Sequence, residues 1–119
     1  MNDQEICYWS AVRLLEAIKN KEISAVEVMQ AHLNRLETLN PILNGLTQQV
    51  SKEICLQQAL EADQELSKGR LKGKLHGLPF TIKDIHLLQG FVSCVGSLGL
   101  KDKVAKEDST VVSRLKHEG

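Results

Sequence analysis

Aromatic residues are scarce in this sequence: one Trp, one Tyr and two Phe make up 3% of its 119 residues. Leu, Ile, Val and Ala must therefore supply nearly all the buried surface, which suits helices better than a β-sandwich. Net charge is missing as well. Fifteen Lys and Arg balance fifteen Asp and Glu, so no long-range field draws the chain to nucleic acid or to an anionic membrane. No run approaches the roughly twenty consecutive apolar residues that span a bilayer, and the start, Met1 to Glu5 followed by Ile6-Cys7-Tyr8-Trp9, lacks the basic and apolar regions of a signal peptide. A soluble cytoplasmic protein is the expectation. The cysteines, Cys7, Cys55 and Cys94, are odd in number, scattered and never in a Cys-x-x-Cys pair, which excludes a disulfide framework and a zinc knuckle and reads as reduced core thiols.

The chain does have an adequate apolar fraction. Hydrophobic residues are 42% and charged residues 25%, near the globular average, and the length allows one domain. The first half is helical by pattern. Ser10 caps a run with Val12, Leu14, Leu15 and Ile18 at helical spacing. Ser24 followed by Glu27 forms a capping box ahead of Val26, Met29, Leu33 and Leu36, and Asn40-Pro41 is expected to stop that helix. These two helices are expected to pair. Ser51 opens a third helix carrying Leu56, Ala59, Leu60, Ala62 and Leu66, and Gly69 ends it.

Residues 1–68 thus read as a helical part, and 69–119 as a basic linker (69–74), a strand, a loop and a helix. Leu78-Pro79-Phe80-Thr81-Ile82 carries the strand pattern, with Pro79 tolerated near its start. Residues 84–106 read mostly as loop, and Asp108 is expected to cap a final helix with Val111, Val112 and Leu115 on one face. The fold class expected is α/β: helices leading into the first strand of a mixed sheet whose other strands the chain hardly supplies. One strand cannot satisfy its own backbone groups, so residues 1–119 are expected to be an amino-terminal fragment.

Two motifs are decoys. Gly69 to Lys74 has three residues where a phosphate-binding loop needs four, and Leu75 where that loop needs a hydroxyl. Ser113-Arg114-Leu115-Lys116 matches the Ser-x-x-Lys of penicillin-binding enzymes without their companion motifs. His32, His76, His86 and His117 have no metal-ligand spacing.

The order of four pieces is more informative: LHGLPFTIKD (75–84), HLLQG (86–90), VGSLGL (95–100) and EDSTVVSRLKHEG (107–119). Together with KNKEISAVEVMQAHLNRLETLNPILNG (19–45) they resemble the opening of the amidase signature family of hydrolases, across nearly the whole chain. The resemblance implies an incomplete part of the amidase signature fold and a Ser, cis-Ser, Lys triad whose lysine is Lys83. A lysine amine is protonated at neutral pH and works as a base only when desolvated. It then takes a proton through the bridging serine from the nucleophilic serine, which attacks an amide carbonyl.

The resemblance further implies that Asp84 holds the loop by hydrogen bonds, that Gly96-Ser97 is a structural turn, and that Ser93 and Cys94 stand where hydroxyls are usual. Ile85 stands where the family often has asparagine. Both triad serines are expected in a Gly-Ser-rich segment downstream of Gly119, so the chain is expected to be inactive alone. The implied substrate of the intact enzyme is an amide-bearing small molecule, with no metal or organic cofactor. Self-association through exposed apolar surface is expected of the fragment. Two alternatives stand beside this reading. One is the amidase subunit of glutamyl-tRNA amidotransferase, the only reading that brings in nucleic acid, although Gly96-Ser97 looks more like a free-standing amidase. The other is a non-catalytic helical module that binds a partner protein, which would have no use for Ile82-Lys83-Asp84.

Overall fold

The computed structural model describes residues 2–119. Its helices are α1 (Asp3–Cys7), α2 (Ala11–Lys19), α3 (Ala25–Leu43), α4 (Lys52–Ser67) and α5 (Thr110–His117), with a short 3₁₀ turn at Leu98–Leu100. The chain divides into two compact units, the first running to Pro79 and including Gly119, the second Phe80–Glu118.

In the first unit, local sequence explains the helix ends. Ser10 Oγ accepts from Arg13 N–H at 3.2 Å, and Ser51 Oγ from Ile54 N–H at 3.3 Å, each satisfying a donor that the first helical turn leaves without a partner. At α3 the capping box is complete: Glu27 N–H donates to Ser24 Oγ at 3.1 Å and Ser24 N–H to Glu27 Oε2 at 2.8 Å. The Ser24 N–H, with the Ser24 hydroxyl adding a bond of 2.8 Å to the same oxygen, favours the ionised form and holds the Glu27 carboxyl below its usual value. Asp63 of α4 takes the two remaining donors, Ala25 N–H at 2.8 Å and Val26 N–H at 3.1 Å. A carboxylate at a helix N-terminus also meets the positive end of the helix dipole. Gly69, at φ +75°, closes α4 in a Schellman arrangement, with its N–H on Leu66 O and Arg70 N–H on Glu65 O.

Two clusters form the core of this unit. One joins Ile6 of α1, Leu14, Ala17 and Ile18 of α2, Ile23, and Val28 and Ala31 of α3, with Trp9, Leu66 and Leu78 against it. The other is built on Ala25, Ala59 and Ala62, small residues that let α3 and α4 approach closely. The pairing expected between α2 and α3 is only partly realised: α2 shares its core with α3, but the closest helix pairs are α1 with α3 and α3 with α4. Helix α1 has no counterpart in the sequence expectations. It is docked by Asn34 Nδ2 donating to Asp3 Oδ2 at 2.7 Å, and by Arg35, which stacks on the Tyr8 ring and donates to its hydroxyl at 2.7 Å.

Several expectations are corrected. Asn40-Pro41 does not stop α3; Pro41 lies inside its last turn and the helix ends at Asn44, whose φ of +49° reverses the chain. Asn40 makes that end by clasping Leu46 through both its amide groups. The α/β expectation also fails, because the described residues contain no strand. Among the described residues, the N–H groups of Phe80, Thr81, Ile82 and Lys83 find no backbone partner, and the ladder pairing is an isolated antiparallel bridge, Val92 with Val104. Leu78 N–H turns back to Leu75 O. The pattern at 78–82 suits an extended segment, but no neighbouring segment pairs with it, so the mixed sheet does not form.

The N-cap of α5 is Ser109 and not Asp108. Asp108 instead accepts from Gln89 N–H at 2.8 Å and Lys116 Nζ at 2.7 Å, and these bonds hold its carboxyl below the usual range. Together with Ser109 N–H on Leu87 O, they tie the 87–89 segment to the start of α5. Among the described residues, no helix is long and apolar enough to cross a membrane.

Candidate functional site

The segment that carries Lys83 is built from two turns. Lys83 O accepts from His86 N–H at 2.9 Å, closing a turn over Asp84 and Ile85. Ser97 N–H donates to Cys94 O at 2.8 Å, closing a second turn over Val95 and Gly96. Both central residues of the second turn have positive φ, +50° at Val95 and +73° at Gly96, the signature of a type I′ turn. Glycine adopts that conformation freely; a β-branched valine does so at a cost.

Asp84 joins the two turns. Its Oδ2 accepts from Val95 N–H at 2.6 Å and faces the Cys94 thiol at 3.9 Å. Its backbone carbonyl accepts from the buried Ser93 hydroxyl at 2.5 Å. Asp84 therefore acts as a clasp, in line with the holding role that the sequence suggested. Behind it, Ser93 N–H bonds Lys103 O, and Ala105 N–H bonds Phe91 O, which closes the 93–103 loop at its base.

Lys83 itself is exposed. The desolvation that lysine base chemistry requires is not provided by the described residues. Ser93 has already donated its hydroxyl hydrogen to Asp84, and Ser97 is exposed and serves two turns through its backbone. The structure brings Ser93, Cys94 and Val95 to Asp84. What it holds here is one amine on a well-supported turn, with no assembled nucleophile and base among the described residues.

In the first unit, the residues before this segment explain the His-Gly of LHGLPF. His76 is buried, accepts from Lys72 N–H at Nδ1 (3.1 Å) and pairs with Ala62 O through Nε2 (2.9 Å). Since the backbone amide can only donate, the ring must be the Nε2–H tautomer. Gly77, at φ +77°, packs so closely that a Cβ would lie 3.0 Å from the Ala25 Cβ. These are structural roles that a spacing argument about metal ligands had no means to find. Among the described residues, no group of three or more His, Cys, Asp or Glu is gathered to hold a metal. The thiols of Cys7, Cys55 and Cys94 are free and half-buried, and burial pushes Cys7 and Cys55 up from the ordinary thiol value. A cleft of about 180 Å³ lies between α1 and α3, lined by Asp3, Ala31, Asn34 and Arg35 among others. It is the seam where α1 docks, spanned by the Asp3–Asn34 bond.

Comparison with known proteins gives these features a setting. The amidase family model matches residues 27–119, more than half of the chain, and the chain belongs to the amidase family. It is 42% identical to an indoleacetamide hydrolase of Bradyrhizobium diazoefficiens over 93% of its own length and 21% of that protein. It is 37% identical to a glutamyl-tRNA(Gln) amidotransferase subunit of Carboxydothermus hydrogenoformans, over 97% of this chain and 24% of that one. With an acylamidase of Rhodococcus erythropolis the identity is 29%, over 100% and 25%. A solved structure, described as a vestigial protein complex bearing on the origins of an s-triazine catabolic enzyme, has the same fold over 93% of this chain and 24% of its own, at a TM-score of 0.84 and 24% identity. The chain thus spans a quarter or less of the length of these relatives.

Proposed function

We propose that residues 1–119 are the amino-terminal part of an enzyme that hydrolyses carboxamides through a Ser, cis-Ser, Lys triad, and that Lys83 is the triad member this part contributes. The observation that carries the reading is Lys83 on its clasped turn within the stretch that matches the amidase family. In the intact enzyme, residues outside 1–119 would bury Lys83 and supply both serines. The neutral amine would receive the nucleophile's proton through the bridging serine. The serine oxygen would attack the amide carbonyl and backbone N–H groups would hold the oxyanion; as the C–N bond broke, the substrate nitrogen would leave as ammonia or an amine with the proton that the lysine returns through the bridging serine. Water would then release the carboxylate from the acyl-enzyme.

A small carboxamide of the indoleacetamide kind is the substrate class favoured by the relative at 42% identity. The likeness to the glutamyl-tRNA(Gln) amidotransferase chain, at 37%, keeps a second reading in view, in which the chain is part of the amidase subunit of such an amidotransferase. Assay of the isolated chain against indoleacetamide, simple aliphatic amides and glutamine is expected to show no turnover. Measurable turnover that Lys83→Ala abolishes would contradict the proposal that the machinery is completed elsewhere.

A further inference from the structure

Asp84 is more heavily used than a residue that merely follows a catalytic lysine. Its carboxylate holds the Val95 N–H at 2.6 Å and its carbonyl takes the Ser93 hydroxyl, so it is bonded from both its side chain and its backbone to the same short segment. That segment is strained. Val95 sits at φ +50°, a region that costs a side-chain-bearing residue roughly 1–2 kcal/mol and that β-branched residues rarely enter. Such a conformation persists only where its surroundings over-determine it, and such places cluster at functional sites. Here the surroundings are the Asp84 clasp and the Cys94–Ser97 turn bond. Lys83 is the residue before the clasp, and its own carbonyl closes the turn in which Asp84 lies.

We propose that Asp84 is a positioning residue for Lys83: by locking the 83–86 turn onto the strained 94–97 turn, it fixes the backbone from which the lysine amine is presented. The proposal rests on the reading of Lys83 as a triad member. It assigns Asp84 no contact with substrate and no proton transfer. Misplacing a reacting group by about 1 Å can cost on the order of 10²-fold in rate, which sets the effect expected when the clasp is removed.

The test uses a complete enzyme in which residues 1–119 replace the matching portion of the Bradyrhizobium indoleacetamide hydrolase, assayed on indoleacetamide. Asp84→Ala is expected to lower kcat by about 10²-fold with KM little changed. Asp84→Asn keeps an oxygen acceptor for Val95 N–H and is expected to retain most of the turnover. In a Lys83→Ala background, Asp84→Ala is expected to have no further effect, because a residue that acts through the lysine has nothing left to position. Equal losses from Asp84→Ala in both backgrounds would overturn the proposal and make the residue a general stabiliser, as would an unchanged kcat. If Asp84→Ala fails to fold, Ser93→Ala, which removes the hydroxyl bond to the Asp84 carbonyl, carries the same cycle, and additivity there is equally adverse. A Lys83→Ala enzyme as active as the unsubstituted one would instead sink the assignment of Lys83, and is told apart by that single comparison.

Discussion

At the residue scale, the first unit depends on positions where backbone comes close to backbone or helix. Gly77 combines φ +77° with a virtual Cβ 3.0 Å from Ala25 and 3.5 Å from Ile18. Gly77→Ala therefore meets both strain and overlap, and a loss of about 1–3 kcal/mol is expected in urea unfolding. Asp63 is the residue on which the α3–α4 contact turns: Asp63→Ala strips two N–H groups at the start of α3 of their acceptor. A loss of about 2 kcal/mol is expected, and Asp63→Asn, which keeps one acceptor oxygen, should lose less. Similar losses from Asp63→Ala and from substitution of the exposed Asp102 would show that the cap is not what holds α4 to α3.

At the scale of elements, the end of α4 is charged and pH-sensitive. Glu65 accepts from Arg70 Nε at 2.6 Å and from Lys68 Nζ at 3.3 Å, and the Arg70 hydrogen bonds first, with Lys68 adding to them, lower its carboxyl from 4.5 to about 2. A carboxyl whose folded value lies below its unfolded one adds stability that is present above the unfolded value and fades as pH falls through the folded one. The clasp at the end of α4 is therefore expected to weaken between pH 4.5 and about 2, with Asp108 and Glu27 changing in the same direction. Arg70→Gln should flatten that dependence in acid titrations followed by circular dichroism; an unaltered profile would count against it.

The elements also show what was legible in the sequence. Ser10, Ser24 with Glu27, Ser51 and Gly69 mark helix ends through bonds made within four residues, so sequence alone locates them. Helix α1 is five residues long, too short for a periodic signal, and exists through tertiary bonds to Asn34 and Arg35. Asp108 has the chemistry of a cap, but its carboxylate is drawn instead to Gln89 and Lys116, partners 19 and 8 residues away. The segment 78–82 has the composition of a strand, but composition cannot supply a neighbour. At the candidate site, Lys83 and Asp84 stand out by motif. The turn that Asp84 grips does not, because nothing in the letters Cys94-Val95-Gly96 says that valine will be held at positive φ.

At the scale of the whole molecule, the two units differ in what they bury. The first has a multi-helix core; in the second the buried residues are Ser93, Ala105 and Val112, while Ile85 and Val95 are each 57% exposed and Leu98 is 86% exposed. A unit with so little interior leaves apolar surface in water, a pattern that marks an interaction surface or an aggregation liability. The isolated chain is expected to bind a hydrophobic dye and to associate at high concentration, with Leu98→Asp reducing both; a compact monomer indifferent to that substitution would contradict this. All of this turns on whether residues 1–119 bring the triad lysine to an amidase. Indoleacetamide turnover decides it, measured on the Bradyrhizobium enzyme carrying residues 1–119 in place of its own matching portion, with and without Lys83→Ala. Activity is expected in the first, and a fall of at least about 10³-fold in kcat in the second, the order expected when a member of a catalytic unit is removed. Turnover undiminished by Lys83→Ala would show that the triad lysine lies elsewhere.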